Sequence, residues 1–185
     1  MKLIVLTAPS GAGKTTIARR VMEAVPGLQF SISATTRPAR DGERNGIDYF
    51  FLSDEAFAAE IEAGAFVEYE EVYPGRFYGT LRRELERLAE SAAVVLDLDV
   101  KGALNVKRLY GDRALTLFVQ PPSLAVLAER LRARGTETED RLAVRLERAK
   151  LELQYAPECD AVVVNDDLDT AVAETVALVR AFLAG

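Results

Sequence analysis

The fold of this chain is decided by residues 8–16, which have the sequence APSGAGKTT. The apolar run LIVL at residues 3–6 precedes them and has the length of a buried strand. Apolar residues at 17, 18, 21, 22 and 25 follow, with the spacing of one face of an α-helix. A strand, a glycine-rich turn and a helix that opens on Gly-Lys-Thr form the pattern of a phosphate-binding P-loop.

The residue types of this loop suit an anionic ligand. Gly11 and Gly13 lack a Cβ, so the backbone can take positive φ and point successive N–H groups at an anion beside a helix N-terminus. Lys14 is expected to reach the β- and γ-phosphates, and the Thr15 hydroxyl to bind Mg²⁺. Ala8 stands where the consensus has its first glycine. The alternative, a glycine-rich helix entry without a ligand, is disfavoured because the required strand and helix both flank the loop.

Composition narrows the function classes. The 185 residues fit one domain, and a net charge of −6 argues against a general nucleic-acid-binding surface. Without histidine, neither a His-based catalytic triad nor a metal site with histidine ligands is possible. A single cysteine excludes an intrachain disulfide. The chain begins with a core strand instead of a signal peptide, and no apolar run approaches the roughly 20 residues that span a membrane. We expect a cytoplasmic protein without membrane or nucleic-acid partners.

Apolar strands alternate with helical segments along much of the chain. Such strands are predicted at residues 93–96, 115–119 and 161–164, and this alternation is typical of a parallel sheet with helices on both faces. Between them lies a stretch of different character. Residues 34–46 are predicted to form a loop, 49–52 a short strand, 54–63 a helix capped by Ser53, and 66–73 with 77–80 an antiparallel unit. Residues 33–80 are therefore predicted to form a mixed lobe inserted into an α/β domain.

The predicted loop and its neighbours hold a candidate phosphate site. Ser33, Arg37 and Arg40 lie close together in sequence, and Tyr49 follows in the next strand. Two arginines and two hydroxyls suit a second phosphate group. The alternative is that both arginines are simply solvated.

Glu68 is a candidate for reading a base. It lies in an alternating strand and would present an acceptor-only carboxylate to the N1–H and 2-amino donors of guanine. Adenine lacks this donor pair, so an unpaired carboxylate would disfavour it. Thr80 and Tyr78 could add a base contact and a phosphate contact, although Glu70 and Glu71 are equally acidic.

Arginines on the later helices fall into two groups. Arg130 and Arg145 have no carboxylate three or four residues away and are the better phosphate candidates. Arg141 and Arg148 have Glu137 and Glu152 four residues away, which is typical of ordinary surface pairs. Separately, an aspartate at position 97 ends a buried strand, where a Walker B carboxylate that orients Mg²⁺ would stand.

Seven motifs together resemble those of guanylate kinases. They follow one another with that family's spacing from residue 3 to about 180, and they are residues 8–16, 33–40 (SATTRPAR), 45–49 (NGIDY), 78–80 (YGT), 97–102 (DLDVKG), 134–138 (RGTET) and 164–168 (VNDDL). Three positions differ from the usual pattern: Ala8, Lys101 in place of glutamine, and Thr80 in place of serine.

The resemblance implies a fold and a set of site residues. The implied fold is a P-loop NTPase core (1–32, 81–133 and 146–185) with a parallel five-stranded sheet flanked by helices, an inserted mixed α/β lobe for the nucleoside monophosphate (33–80) and a small lid (134–145). The implied ATP-binding residues are Ala8, Pro9, Ser10, Gly11, Ala12, Gly13, Lys14, Thr15, Thr16, Arg134 and Asn165. The implied GMP-binding residues are Ser33, Arg37, Arg40, Tyr49, Glu68, Tyr78, Thr80 and Asp99, the catalytic ones Lys14, Arg37, Arg130, Arg134 and Arg145, and the Mg²⁺ ligands Thr15 and Asp97.

The implied reaction is transfer of the ATP γ-phosphoryl group to GMP, and also to dGMP, within purine nucleotide metabolism. ATP and GMP are then the substrates and Mg²⁺ the cofactor, and a monomer and a homodimer both stay open. Two rival hypotheses remain at this point. One is a kinase of the same core with another nucleoside or sugar phosphate as acceptor, and the other is a non-catalytic guanylate-kinase-like module that binds protein partners.

Overall fold

Two β-sheets organise the chain, and the P-loop follows the first strand of the larger one. The computed structural model describes residues 1–133 and 139–185, apart from the side chains of residues 140 and 141. The strands within that part are β1 (Lys2–Thr7), β2 (Leu28–Phe30), β3 (Ala34–Thr35), β4 (Phe50–Phe51), β5 (Phe66–Tyr73), β6 (Arg76–Leu81), β7 (Ala93–Leu98), β8 (Ala114–Gln120) and β9 (Ala161–Val164). The α-helices there are α1 (Lys14–Ala24), α2 (Asp54–Glu62), α3 (Arg82–Arg87), α4 (Val100–Tyr110), α5 (Leu124–Ala133), α6 (Glu139–Gln154) and α7 (Leu168–Ala184).

The larger sheet is parallel and has the order β2-β7-β1-β8-β9. Its central strand β1 is buried on both faces because alternate residues enter different cores. Ile4 and Leu6 pack with residues of α1 and α7, whereas Leu3 and Val5 pack with residues of α3 and α4. The prediction of a five-stranded parallel sheet covered by helices is confirmed.

The smaller sheet is mixed and has the order β4-β3-β6-β5. Strands β3 and β4 are parallel, and the pairs β3–β6 and β5–β6 are antiparallel. Helix α2 closes one side of this sheet through Phe57, whose ring stacks on Phe66 with centroids 4.5 Å apart. As predicted, Ser53 caps α2 by accepting a hydrogen bond from the Ala56 N–H. The division of the chain into core, lobe and lid stays a prediction.

One buried carboxylate links the places where the chain enters and leaves the smaller sheet. Glu84, in α3, is 2% exposed and accepts hydrogen bonds from the Ile32 N–H (3.1 Å) and from two nitrogens of Arg87 (both 2.9 Å). Ile32 lies just before β3, and α3 begins directly after β6. A single side chain therefore holds both connections between the two sheets.

Most element boundaries agree with the predictions, and the clearest difference lies in the predicted loop at 34–46. Ala34 and Thr35 form strand β3, which pairs with both β4 and β6 and is fully buried. Two buried residues inside a polar stretch give too short a pattern to indicate a strand. Among the described residues, no helix combines the length and the apolarity needed to cross a lipid bilayer.

Candidate active site

The glycine-rich loop has the backbone geometry that a phosphate cradle requires. Gly11 and Gly13 have φ of 95° and 99°, and Gly13 directly precedes the first residue of α1. Successive N–H groups therefore lie beside a helix N-terminus, where an anion is favoured. Among the described residues no non-glycine residue has positive φ, so Ala8 takes an ordinary backbone conformation, and alanine in place of the consensus glycine introduces no left-handed strain there.

Lys14 and Asp97 meet at the carboxyl edge of the parallel sheet. The register between β1 and β7 places Asp97 beside Leu6, directly below the loop. The Lys14 ammonium forms an ion pair with the Asp97 carboxylate and donates a hydrogen bond of 2.9 Å to the Leu98 carbonyl. The end of β7 thus holds the lysine at the floor of the cleft.

Thr15 and Asp97 line one open cleft of about 290 Å³ together with the other loop residues except Ala12. They offer one hydroxyl and one carboxylate oxygen. Mg²⁺ prefers oxygen ligands and is usually bound by one or two carboxylates together with substrate phosphates and water. The donor set present here fits that ion.

Four of the predicted GMP phosphate ligands line the same cleft, namely Ser33, Arg40, Tyr49 and Tyr78. The rings of Tyr49 and Tyr78 meet edge to face, with centroids 6.1 Å apart. Burial, with a smaller contribution from the Asp97 charge, raises the pKa of Tyr49 to about 12. Its hydroxyl therefore keeps its proton at neutral pH and can donate to an anion.

Arg37 lies behind these side chains and is not among the described residues that line the cleft. It is 6% exposed and donates hydrogen bonds of 2.8 and 2.9 Å to both carboxylate oxygens of Glu43. Its guanidinium also lies 5.2 Å from the centre of the Tyr49 ring. The hydrogen bond to Arg37 lowers the pKa of Glu43. Sequence analysis missed Glu43, because a glutamate six residues away in a polar loop carries no periodic signal.

The predicted base-reading residues lie together at the other wall. Glu68 and Thr80 are opposite each other on β5 and β6, and the Thr80 hydroxyl donates a hydrogen bond of 2.7 Å to Glu68 Oε1. Asp99 caps α4 by accepting a hydrogen bond of 2.9 Å from the Gly102 N–H. Burial, together with the Asp99 charge, raises the pKa of Glu68 to about 7, against the opposing effect of Thr80.

The two described arginines that were predicted to close over the transferred phosphoryl group, Arg130 and Arg145, lie on two sides of the P-loop. Arg145 lines the main cleft and donates a hydrogen bond of 2.6 Å to the Ser10 hydroxyl. Arg130 lines a second pocket with Gly11 and Asn165, and donates a hydrogen bond of 3.0 Å to the Asn165 carbonyl. The predicted lid residue Arg134 lies outside the described residues.

Asn165, predicted as part of the adenine site, is hydrogen-bonded to the backbone of the P-loop. Its side chain is 4% exposed, and its Nδ2 donates a hydrogen bond of 2.7 Å to the Ala12 carbonyl. Its Oδ1 atom is buried without a hydrogen-bond partner among the described residues. Other atoms of Asn165 line the second pocket beside the loop.

Arg148 is in the cleft, so the interpretation of its pair with Glu152 as an ordinary surface pair was wrong. The pair exists, with Nε 2.7 Å from Glu152 Oε1, but the two side chains are only 25% and 12% exposed. The Arg148 guanidinium also lies over the Tyr73 ring, 4.8 Å from its centre. Spacing along a helix indicates a pair, but it does not reveal what the rest of the fold places over it.

A phosphate cradle at the carboxyl edge of a helix-covered parallel sheet, facing a second carboxylate-lined wall, defines a P-loop phosphotransferase of small nucleotides. The guanylate kinase family model matches residues 1–181. The chain belongs to the guanylate kinase family. This membership confirms the predicted reaction, transfer of the ATP γ-phosphoryl group to GMP.

Individual relatives agree with this assignment. A guanylate kinase of Salinibacter ruber is 63% identical over 98% of this chain and 96% of its own length. One of Chlorobium luteolum is 50% identical over 98% of this chain and 92% of its own length. The crystal structure of guanylate kinase from Anaplasma phagocytophilum has a TM-score of 0.81 and 30% identity, covering 100% of this chain and 87% of that one.

Proposed function

We propose that ATP binds at the P-loop wall of the cleft and GMP at the Glu68 wall, so that the two phosphate groups meet above Lys14. The observation that carries this proposal is that Lys14, Tyr78 and Glu68 line one continuous cleft. A phosphoryl group bound at the loop and an acceptor phosphate bound at the tyrosines would then be neighbours. Positioning of this kind supplies much of the catalysis in phosphoryl transfer.

On the ATP side, we assign the phosphates to the backbone N–H groups of residues 8–16 and to the Lys14 ammonium. Thr15 and Asp97 would hold Mg²⁺, which supplies neutralisation of charge on the β- and γ-phosphates when it is bound. The Leu98 carbonyl fixes the direction of Lys14, so the ammonium is oriented before the nucleotide arrives. Asn165 lines the second pocket, so we assign adenine to that pocket, and the buried Oδ1 would have to turn outward to accept a hydrogen bond from the adenine amino group.

On the GMP side, we assign base recognition to Glu68, Thr80 and Asp99. Thr80 donates to Glu68 Oε1, which leaves Oε2 and the remaining lone pairs for the N1–H and 2-amino donors of guanine. Adenine would bring an acceptor to this carboxylate and leave it unpaired in a buried place, which is costly. The same assignment leaves no described residue dedicated to the ribose 2′-hydroxyl, so we also propose dGMP as an acceptor.

The GMP phosphate is assigned to Ser33, Arg40, Tyr49 and Tyr78, with Arg37 behind them. Glu43 and Pro38 take three of the five guanidinium N–H groups of Arg37, so Nε and one N–H of Nη2 would be shared between the Tyr78 hydroxyl and phosphate. Arg145 would stabilise the transferred phosphoryl group from the lid side. Arg130 and Arg134 would join it when the lid closes, which requires Arg130 to leave the Asn165 carbonyl.

A coupled assay of ADP release tests these assignments with GMP, dGMP, AMP, CMP and UMP as acceptors. Glu68→Gln should raise the KM for GMP by at least tenfold and leave the KM for ATP within twofold, because it removes an acceptor charge at the base wall only. Lys14→Met should abolish turnover with every acceptor. Equal loss of GMP and ATP use in Glu68→Gln would reject the assignment of the base wall.

A further inference from the structure

Arg148 occupies a place in the cleft that the assigned binding roles do not account for. It lies in α6, yet its guanidinium contacts side chains from two other parts of the fold. These are Asp99, at the junction of β7 and α4, and Tyr73, at the end of β5. Glu152, one turn along α6, is its hydrogen-bond partner, and the Glu70 charge also lies close enough to interact with it.

Each contact fixes a different property of the guanidinium. Glu152 Oε1 accepts from Nε at 2.7 Å and fixes the direction of the side chain. Tyr73 supports the flat face of the guanidinium, with 4.8 Å between Cζ and the ring centre. A planar arginine held in this way has a defined orientation, which a flexible ammonium would not have. Its Nη2 nitrogen is left facing Asp99 Oδ2 at 3.6 Å, an ion pair too long to be a hydrogen bond.

The two oxygens of Asp99 are consequently held from opposite sides. Oδ1 accepts the hydrogen bond from the Gly102 N–H at the start of α4, and Oδ2 faces Arg148. The Asp99 side chain is 13% exposed, so the attraction acts in a partly desolvated setting. At 3.6 Å the pair orients the carboxylate and still leaves lone pairs of Oδ2 for a ligand donor.

We propose that Arg148 is a positioning residue for guanine recognition, which orients the Asp99 carboxylate toward the base and holds the tip of β5 against α6 through Tyr73. The proposal rests on the assignment of Asp99 to the base-reading wall. Its distinctive consequence is for selectivity. A base without the 2-amino group, as in IMP, has one donor fewer for these carboxylates, so a well-oriented Asp99 favours GMP over IMP.

The test compares kcat/KM for GMP and IMP in Arg148→Met, which keeps an unbranched apolar stem and removes the guanidinium with its charge. We expect the preference for GMP over IMP to fall about tenfold, with the KM for ATP within twofold of the wild-type value. Because Arg148→Met leaves Glu152 buried without its partner, the double variant Arg148→Met/Glu152→Gln is measured as well and should show the same fall. Lys150→Ala, on the same helix but in the exposed Lys150–Glu147 pair, is the matched control and should change neither constant.

A double-mutant cycle separates positioning from direct contact with the substrate. In an Asp99→Asn background, Arg148→Met should change the GMP preference by less than twofold, because the group through which it acts is gone. The proposal would be overturned if Arg148→Met lowered the GMP preference as strongly in the Asp99→Asn background as in the wild type. An unchanged GMP preference in both Arg148 variants would overturn it as well. Failure of the underlying assignment is distinguishable: Asp99→Asn alone would then leave the preference intact.

Discussion

Gly102 offers the sharpest test of how the base wall is built, because its missing side chain makes room for two carboxylates. A Cβ at this position would lie 2.6 Å from Glu68 Oε2 and 3.0 Å from Asp99 Oδ1. The closest ordinary carbon–oxygen contacts are about 3.3 Å, so Gly102→Ala must displace the Glu68 oxygen by roughly 0.7 Å. Gly102 has helical backbone angles in the first turn of α4, so the backbone itself accepts alanine.

In Gly102→Ala, the displaced Glu68 oxygen should affect kcat/KM for GMP, whereas the higher helix propensity of alanine should affect the free energy of unfolding. A hydrogen bond to a charged group contributes about 1.5–3 kcal/mol, and a shift of this size spoils its geometry. At about 1.4 kcal/mol per factor of ten, kcat/KM for GMP should fall roughly 10- to 100-fold. Alanine is the better helix former by about 0.5–1 kcal/mol, which offsets part of the clash, so the free energy of unfolding should change by less than about 1 kcal/mol.

The assay follows ADP release at saturating ATP with GMP varied, and then at saturating GMP with ATP varied. Urea unfolding followed by circular dichroism gives the stability of the same samples. Leu109→Ala, at a 56% exposed position of the same helix, is the matched control and should leave both KM values unchanged. An unchanged kcat/KM for GMP would refute the idea that Gly102 makes room for the two carboxylates. The same holds for a drop of about 3 kcal/mol in the free energy of unfolding together with equal falls in kcat/KM for GMP and ATP.

Four further outcomes are expected. Burial raises the pKa of Glu68 from 4.5 in the unfolded chain to about 7 in the folded protein. The protonated carboxyl therefore contributes its full stability below pH 4.5, and this contribution is lost as the pH rises through 7. In urea titrations over that pH range, the free energy of unfolding of the wild type should fall by up to about 3 kcal/mol relative to Glu68→Gln. The affinity for GMP, measured by calorimetry, should instead rise through pH 7 as the carboxylate ionises. Glu43→Gln should weaken the hydrogen bonds that hold Arg37 and raise the KM for GMP about tenfold, with the KM for ATP unchanged. The control Asp41→Asn, at an exposed position nearby, should change neither KM. An unchanged KM for GMP in Glu43→Gln would show that the Arg37–Glu43 ion pair is dispensable. Phe57→Ala should cost about 3–5 kcal/mol in urea unfolding, because a fully buried ring stacked on Phe66 is removed, and a loss under 1 kcal/mol would contradict the packing described.

Local chemistry made the P-loop and the parallel sheet predictable. The loop is contiguous, and its strand and helix are its immediate neighbours, so Gly11, Gly13 and Lys14 needed no tertiary information. The strands of the larger sheet are apolar throughout because they are covered on both faces, which gives a strong pattern. Glu68 and Thr80 are twelve residues apart on the two strands of one hairpin, and the family resemblance implied that both read the base, whereas their mutual hydrogen bond was not predicted.

Contacts between distant segments were beyond the reach of pattern analysis. Arg148 and Tyr73 come from different elements, and Arg148 already has a local partner in Glu152, which conceals its second role. Arg37 is the opposite case: it was predicted to bind phosphate, but its guanidinium forms an ion pair with Glu43 in the same loop. Both cases depend on which of several available carboxylates the fold brings nearest, and sequence spacing does not specify that choice.

The tether at Glu84 has a consequence for how the cleft can change width. Since one carboxylate holds both connections between the sheets, a rotation of the smaller sheet about that point would keep both, and it would have to break the Glu70–Asn105 and Tyr73–Arg148 contacts of β5. Strand β5 runs eight residues from this end to Tyr73, a lever of about 24 Å at 3.4 Å per residue. A rotation of about 10° would carry the tip roughly 4 Å, so the mouth of the cleft moves most and the pivot hardly moves. Such a rotation would turn a small angular change beside α3 into a displacement of the cleft mouth comparable to the width of a phosphate group.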